Sequence, residues 1–261
     1  MSYQGIRERG QKKVYFKPIL FFIGLSFLEA FIQVIASLII KMVAKGSFPM
    51  ANTILWSLSK FITLIVAIIL LRGNFKESSK QVKANPIRFI IYIAIAFMIF
   101  YLFELGTSYY ERLIQKIFGE GEALNQEGIY EYFRADSSTI NYILLIITIC
   151  ILAPLLEELE YRVLIFDAFK GCKWWVPALI STLLFGGAHM QVQALLDSGM
   201  TAIIRELSFF PVYALPGLAL SLCYHYSGNN LYTNVFCHVL INSISVISIV
   251  IMITGEIGTA V

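Results

Sequence analysis

The sequence predicts an all-α protein, a polytopic transmembrane helical bundle. Of its 261 residues, 58% are hydrophobic and 14% are charged, whereas a soluble domain carries about 25% charged residues. The mean hydropathy is +0.74. Several apolar runs reach the ~20 residues that a helix needs to cross a hydrocarbon core about 30 Å thick. Because backbone groups in lipid must be hydrogen-bonded within their own segment, these runs are expected to be helices.

Seven apolar runs are long enough to cross a membrane as helices. The sequence therefore predicts about seven spans, in a range of seven to eight. The runs are Pro18 to Ile40, Ala51 to Leu71, Ile87 to Phe103, Ile140 to Leu156, Trp174 to about Leu196, Leu207 to Tyr226, and Leu231 to Thr254. The fourth is expected to continue as a polar-faced helix to about Lys170. Pro211 and Pro216 are expected to bend or break the sixth.

The segment between the third and fourth spans, Glu104 to Ser138, carries most of the acidic residues. It is predicted to be a loop with an interfacial amphipathic helix from Tyr109 to Phe118. Two regions follow from this pattern. Residues 1–138 form a variable N-terminal transmembrane region with three spans and an acidic loop, and residues 139–254 form a transmembrane core.

Charge in this chain is informative about topology and not about nucleic acid. The net charge of +3 is too small and too dispersed for a nucleic-acid-binding face, so no nucleic-acid partner is expected. Lys and Arg collect on cytoplasmic flanks of spans, which favours a cytoplasmic N-terminus. The basic residues concerned are Arg7, Arg9, Lys12, Lys13 and Lys17 before the first span, and Arg72, Lys76, Lys80, Lys83 and Arg88 between the second and third. The sequence carries no indication of the oligomeric state.

The stretch LLEELEYRVLIF places three carboxylates and an arginine at the end of an apolar run. Ionisable groups within spans cost several kcal/mol and are functional candidates. Glu158 and Arg162 are four residues apart, share a helix face and can form an ion pair. Glu157 points in another direction, and without that counter-ion it is the better general base. The alternative is an ordinary charged helix end at the cytoplasmic surface.

Two further pairs repeat this one-turn spacing. Phe185 and His189 share a face in LFGGAHM, and His238 and Asn242 share a face in HVLIN. The last two can donate hydrogen bonds to a developing oxyanion. The alternative for these residues is structural: a histidine satisfied by a backbone carbonyl, or hydrogen bonds between packed helices. Glu29 in the first span is expected to pack against other helices.

Helix geometry predicts that these motifs meet at one depth. If the chain turns near Gly171 and Cys172, Glu157 lies 14 residues before the turn and His189 lies 17 residues after it. Both are then roughly 20 to 25 Å from the turn, at about 1.5 Å per residue. His238 follows the next connection on the same side of the membrane. We therefore expect a single site that opens towards the cytoplasm.

The three motifs together resemble a known family. EExxxR stands at Glu157 to Arg162, FxxxH at Phe185 to His189, and HxxxN at His238 to Asn242. In this order they resemble the CAAX protease and bacteriocin-processing intramembrane endopeptidases, also called the Abi family, which are related to the type II CAAX prenyl endopeptidase. The resemblance covers about Asn141 to Ile253. Val163 departs from the glycine that many members have after the arginine.

The resemblance implies a peptide-bond hydrolase with residues 139–254 as its catalytic core. Glu157, assisted by His189, would activate water, and His238 with Asn242 would stabilise the tetrahedral oxyanion. Glu158, Arg162 and Phe185 would hold the geometry of the site. No cofactor is favoured. Zinc is the alternative, because Glu157, His189 and His238 could supply three ligands and leave a fourth position open.

The function predicted from these residues is intramembrane cleavage of a membrane-associated peptide or protein in the plasma membrane of a bacterium. The alternatives are a non-catalytic membrane scaffold, or a bacteriocin-immunity or regulatory protein that retains the fold. A transporter that uses the carboxylates as a proton relay is a third reading. Transporters more often show paired halves, and this sequence shows no such repeat.

Overall fold

The computed structural model describes residues 14–43, 50–119, 123–190 and 199–259, which fold into eight helices without strands. The helices are α1 (Phe16–Val43), α2 (Ala51–Ala84), α3 (Pro86–Phe118), α4 (Leu124–Ala135), α5 (Thr139–Ala168), α6 (Trp175–Ala188), α7 (Gly199–Tyr226) and α8 (Leu231–Thr259). The predicted all-α membrane bundle is confirmed. Four of the basic residues used to orient the chain, Arg7, Arg9, Lys12 and Lys13, lie outside the described residues.

Six helices within the described residues are long and apolar enough to cross a membrane: α1, α2, α3, α5, α7 and α8. The fifth of the seven predicted spans, Trp174 to about Leu196, is not among them. Its helix, α6, ends at Ala188 after 14 residues, which makes it about 21 Å long. Residues 191–196 of that predicted span lie outside the described part of the chain.

The separate amphipathic helix predicted from Tyr109 to Phe118 is wrong. These residues are the last turns of α3, which continues unbroken from the third span. No proline interrupts this stretch, so nothing in it stops helical hydrogen bonding. The helix ends at Gly119, whose φ of 94° lies in the left-handed region that glycine adopts without strain. The short helix of this segment is instead α4.

Helix α5 is continuous through its polar C-terminal part, and α7 is continuous through its two prolines. The fourth span extends to Ala168, as the predicted continuation to about Lys170 requires. It contains two π-helical stretches, Thr148–Leu152 and Glu158–Leu164, a feature frequent at functional sites. Helix α7 runs through both Pro211 and Pro216 without a break.

Helix α5 lies against α1 and α2 through large apolar side chains. Leu156, Leu159 and Val163 are fully buried, and they form one core cluster with Leu25 of α1 and Leu64 of α2. This packing fixes the rotation of α5. Glu158 and Arg162, which alternate with these residues, contact α7 and α8 instead.

Close approach of α6 and α7 depends on Gly217. A Cβ atom placed there would lie 2.9 Å from Cδ1 of the Phe185 ring, so we expect Gly217→Ala to destabilise the protein by about 1–3 kcal/mol through overpacking. Gly187→Ala is the matched control, because its Cβ would meet nothing within 4 Å. Thermal unfolding of both variants in detergent checks this expectation. Equal midpoints would contradict it.

Candidate active site

The residues singled out in the three motifs line one cavity. Its volume is about 930 Å³, and residues from all eight helices contribute to its wall. Glu157, His189, His238 and Asn242 lie in this wall together with Phe185. Glu158 and Arg162 lie behind it and are fully buried. The structure therefore brings together side chains separated by as many as 85 positions in the chain.

Glu158 and Arg162 form a buried ion pair within the second π-helical stretch of α5. The Arg162 Nη1 atom lies 3.3 Å from Oε1 of Glu158. The guanidinium also donates from Nη2 to the Gly217 carbonyl oxygen at 3.1 Å and lies over the Phe185 ring, 4.5 Å from its centroid. Burying two charges is costly unless they are paired. This arginine consequently ties α5 to both α6 and α7.

Glu158 also holds His238, a contact that the motif spacing did not predict. The His238 Nδ1 atom lies 2.8 Å from Oε1 of Glu158. A carboxylate held by an arginine accepts hydrogen bonds, so Nδ1 carries a proton and donates it. The opposite ring atom, Nε2, then faces Oε2 of Glu157 at 3.8 Å. The two adjacent carboxylates thus flank one imidazole ring from opposite sides.

Asn234 completes this arrangement and was missed by the sequence analysis. Its Nδ2 atom donates to Oε2 of Glu158 at 2.6 Å and to the Leu220 carbonyl oxygen at 2.9 Å. A signal for it exists in the sequence, because Asn234 precedes His238 by four residues in LYTNVFCHVLIN and shares its helix face. Both Glu158 oxygens are therefore occupied, which fixes the carboxylate.

His189 stands where α6 ends. Its Nδ1 atom lies 2.8 Å from the Phe185 carbonyl oxygen, and since a carbonyl oxygen only accepts, Nδ1 carries the proton. In the neutral ring, Nε2 then keeps its lone pair. The structural alternative, a histidine satisfied by a backbone carbonyl, is correct for Nδ1 and leaves Nε2 available at the cavity wall.

Asn242 contacts the other π-helical stretch of α5. Its Nδ2 atom donates to the Ile149 carbonyl oxygen at 2.9 Å. An amide group has two N–H donors, so one remains for a molecule in the cavity. The side chain is half-buried and lies one turn beyond His238 on α8. Both π-helical stretches of α5 thus contact residues of the HxxxN motif.

The N-terminal helices contribute charged groups to the same cavity. Lys60 of α2 forms an ion pair with Glu29 of α1, with 3.0 Å between Nζ and Oε1. Gln33 contacts Glu29 and Ser59, so the expected interhelical packing of Glu29 is confirmed. Lys60 was not among the residues predicted from the sequence, although a lysine within the apolar run Ala51 to Leu71 is itself a sign of a functional or paired residue.

The side chains do not form a ready metal site. Among the described residues, no group of three or more His, Cys, Asp or Glu side chains is arranged to hold a metal ion. The carboxylate of Glu157 approaches His238, but His189 does not complete a cluster with them. No chemical step below is therefore routed through a metal, and the zinc alternative stays a prediction to be tested.

Comparison with known proteins assigns the part of the chain that carries the three motifs. Residues 139–244 match a family model described as type II CAAX prenyl endopeptidase Rce1-like. This segment, which carries all three motifs, is similar to the Rce1-like family. The resemblance drawn from EExxxR, FxxxH and HxxxN is thereby confirmed. No solved structure matches the chain significantly.

Three bacterial relatives resemble longer or shorter parts of the chain. A Mycoplasma capricolum protein of uncharacterised function is 29% identical over 202 residues, which cover 76% of this chain and 55% of that protein. "Putative membrane peptidase YdiL" of Bacillus subtilis is 28% identical over 200 residues, covering 74% of this chain and 70% of that protein. An uncharacterised 24.3 kDa protein of Escherichia coli is 34% identical over 119 residues, covering 44% and 54%. The chain thus spans about half the length of the first and third relatives.

Proposed function

We propose that this protein is a glutamate-dependent intramembrane endopeptidase that hydrolyses a peptide bond of a membrane-associated peptide or protein. One observation carries the proposal: Glu158, fully buried and bonded on both oxygens, turns His238 so that its Nε2 atom faces Glu157 in a cavity. The match of residues 139–244 to the Rce1-like family model and similarity to a Bacillus protein named as a putative membrane peptidase support a membrane protease.

In this mechanism Glu157 is the general base. Its carboxylate takes a proton from a water molecule, and the water oxygen attacks the carbonyl carbon of the scissile bond. The His189 Nε2 lone pair accepts the second hydrogen of that water and orients it. A base already positioned in a cavity needs little rearrangement before attack. Glu157 suits this role because its carboxylate is not held by Arg162.

His238 and Asn242 stabilise the negative charge that then develops on the carbonyl oxygen. A protonated His238 donates from Nε2, and Asn242 donates its second amide hydrogen. The Glu158 carboxylate accepts the hydrogen bond from Nδ1 and so holds the ring with Nε2 towards the cavity. When the tetrahedral intermediate collapses, the C–N bond breaks and Glu157 passes its proton to the leaving nitrogen. The products are a carboxylate and an amine.

We further propose that the protein lies in a bacterial plasma membrane with a cytoplasmic N-terminus and a site that opens towards the cytoplasm. The clusters of Lys and Arg before the first span, in the last turns of α2 and at the start of α3 support this orientation. All three relatives described above are bacterial. Cysteine accessibility labelling from either side of spheroplasts tests the orientation.

The proposed activity is tested by comparing membrane peptides between cells that express the wild type and cells that express Glu157→Ala. Mass spectrometry is expected to find one or more longer membrane peptides that accumulate with the variant, and their shorter products with the wild type. A non-catalytic scaffold predicts identical peptide profiles. Identical profiles at matched protein levels would overturn the proposal.

Metal dependence is tested with the purified protein and a peptide found in this way. Because no three described side chains form a metal cluster, we expect cleavage to continue at an unchanged rate after exhaustive treatment with EDTA and 1,10-phenanthroline. Elemental analysis of the treated, active protein is the accompanying control. A rate that falls on chelation and returns with zinc would support the metalloprotease alternative.

A further inference from the structure

The cavity extends well beyond the reactive groups, and its charge is one-sided. Five carboxylates lie in the described wall: Glu29, Glu104, Glu111, Glu157 and Glu160. Lys60 supplies the one Lys or Arg among the described lining residues. Carboxylates within a low-dielectric wall attract cations and repel anions. The wall therefore favours a ligand that carries positive charge.

The lysine does not neutralise this wall. Its ammonium group is engaged with both oxygens of Glu29, at 3.0 Å and 3.2 Å. Glu160 is only 4% exposed, and its Oε1 atom has no hydrogen-bond partner among the described residues. A buried carboxylate oxygen without a partner carries a large desolvation cost.

Helix α3 contributes two further carboxylates to the cavity wall. Glu104 and Glu111 are seven residues apart on α3, two turns or about 10 Å along one helix face. Glu111 accepts a hydrogen bond from the backbone of Ala123. The carbonyl oxygen of Glu104 accepts a hydrogen bond from Thr107, whereas its carboxylate makes no hydrogen bond or ion pair with another described residue. Neither residue belongs to the EExxxR, FxxxH or HxxxN motifs, and the hydrolytic steps above do not use them.

Aromatic side chains stand among these carboxylates. The rings of Trp56 and Tyr132 stack at 5.3 Å, and both residues line the cavity. Tyr132 belongs to α4, and burial raises the pKa of its phenol, so it presents a neutral ring. Aromatic faces attract Lys and Arg side chains. Carboxylates and rings together form the surroundings that such side chains prefer.

We propose that the cavity selects peptides with a Lys or Arg residue near the scissile bond, and that Glu104 and Glu111 are the residues that determine this specificity. The inference rests on the proposed peptidase function and adds the substrate class. Glu104 and Glu111 line the same cavity as Glu157, and the proposal places a basic side chain of the bound peptide against them. The bound peptide becomes ordered in the cavity when its cationic group displaces water from the carboxylates of Glu104 and Glu111.

Binding, measured apart from cleavage, tests this inference. The protein is the full chain with Glu157→Gln, placed in nanodiscs of phosphatidylcholine, a zwitterionic lipid without net charge. The probes are two fluorescent decapeptides of identical apolar sequence, one with two central Lys residues and the other with two Gln residues. We expect fluorescence anisotropy to show about tenfold tighter binding of the Lys probe at pH 8 and low salt, and a smaller preference at 0.5 M NaCl because salt screens the attraction.

The double substitution Glu104→Gln/Glu111→Gln is expected to reduce that preference to about twofold or less. The matched control is Glu77→Gln/Glu131→Gln, which alters two exposed carboxylates outside the cavity wall and should keep the tenfold preference. A Lys preference that is absent, or that survives the Glu104/Glu111 substitution, would overturn the inference.

Failure of this inference is distinguishable from failure of the proposed function. Cleavage of both probes by the wild type at equal rates, with no Lys preference in binding, would retain the peptidase and reject the specificity. A Lys preference that depends on Glu104 and Glu111, without cleavage of any membrane peptide, would retain the cationic site and reject the peptidase. The first outcome overturns the inference and the second supports the binding site alone.

Discussion

Glu157→Gln is expected to lower the rate of peptide cleavage by about 10²–10⁴-fold, the contribution typical of a general base. The substitution keeps the size of the side chain and removes its ability to take a proton. Its carboxylate is 13% exposed and makes no contact with Arg162, so the fold should not depend on its charge. The measurement is single-turnover cleavage of a membrane peptide by purified protein in nanodiscs.

Glu131→Gln on α4 is the matched control, because that carboxylate is exposed and lies outside the cavity wall. It should cleave at the rate of the wild type. The free energy of unfolding of both variants should equal that of the wild type to within about 0.5 kcal/mol. If Glu157→Gln cleaves within threefold of the wild type, the base lies elsewhere and the proposed mechanism is wrong.

Arg162→Met is expected to have the largest effect on stability, a loss of about 3–5 kcal/mol. The arginine and Glu158 are both fully buried, so the substitution leaves a carboxylate without its cation in the core of the bundle. It also removes the hydrogen bond to the Gly217 carbonyl and the contact with the Phe185 ring. Unfolding in mixed micelles, followed by tryptophan fluorescence, measures the loss.

A double-mutant cycle separates charge from packing in this pair. Glu158→Gln/Arg162→Met removes the stranded carboxylate as well, and is expected to be more stable than Arg162→Met alone. If Arg162→Met does not accumulate in membranes, Arg162→Lys keeps the charge and gives the comparison. Equal stability of the single and double substitutions would show that the carboxylate of Glu158 is not ionised in the folded protein.

Spacing within single helices predicted much of the site from the sequence. Glu158 and Arg162 were expected to pair because residues four apart share a helix face, and they do. The turn near Gly171 and Cys172 was expected to bring Glu157 and His189 level, and both line one cavity. The separate helix predicted at Tyr109 to Phe118 is wrong. The charged residues that begin at Glu104 do not end the third span, because α3 continues through them to Phe118.

The sequence by itself determined the membrane class, the helical architecture and the identity of the polar residues inside it, because these depend on composition and on spacing within one helix. Only the tertiary structure decided that Glu158 binds His238 and Asn234 as well as Arg162, and that Lys60 pairs with Glu29. It also decided that α6 ends at Ala188 near the cavity. Such contacts depend on which face of each helix docks on its neighbours. That choice is made by many similar apolar side chains acting together, and it leaves no local signal in the sequence.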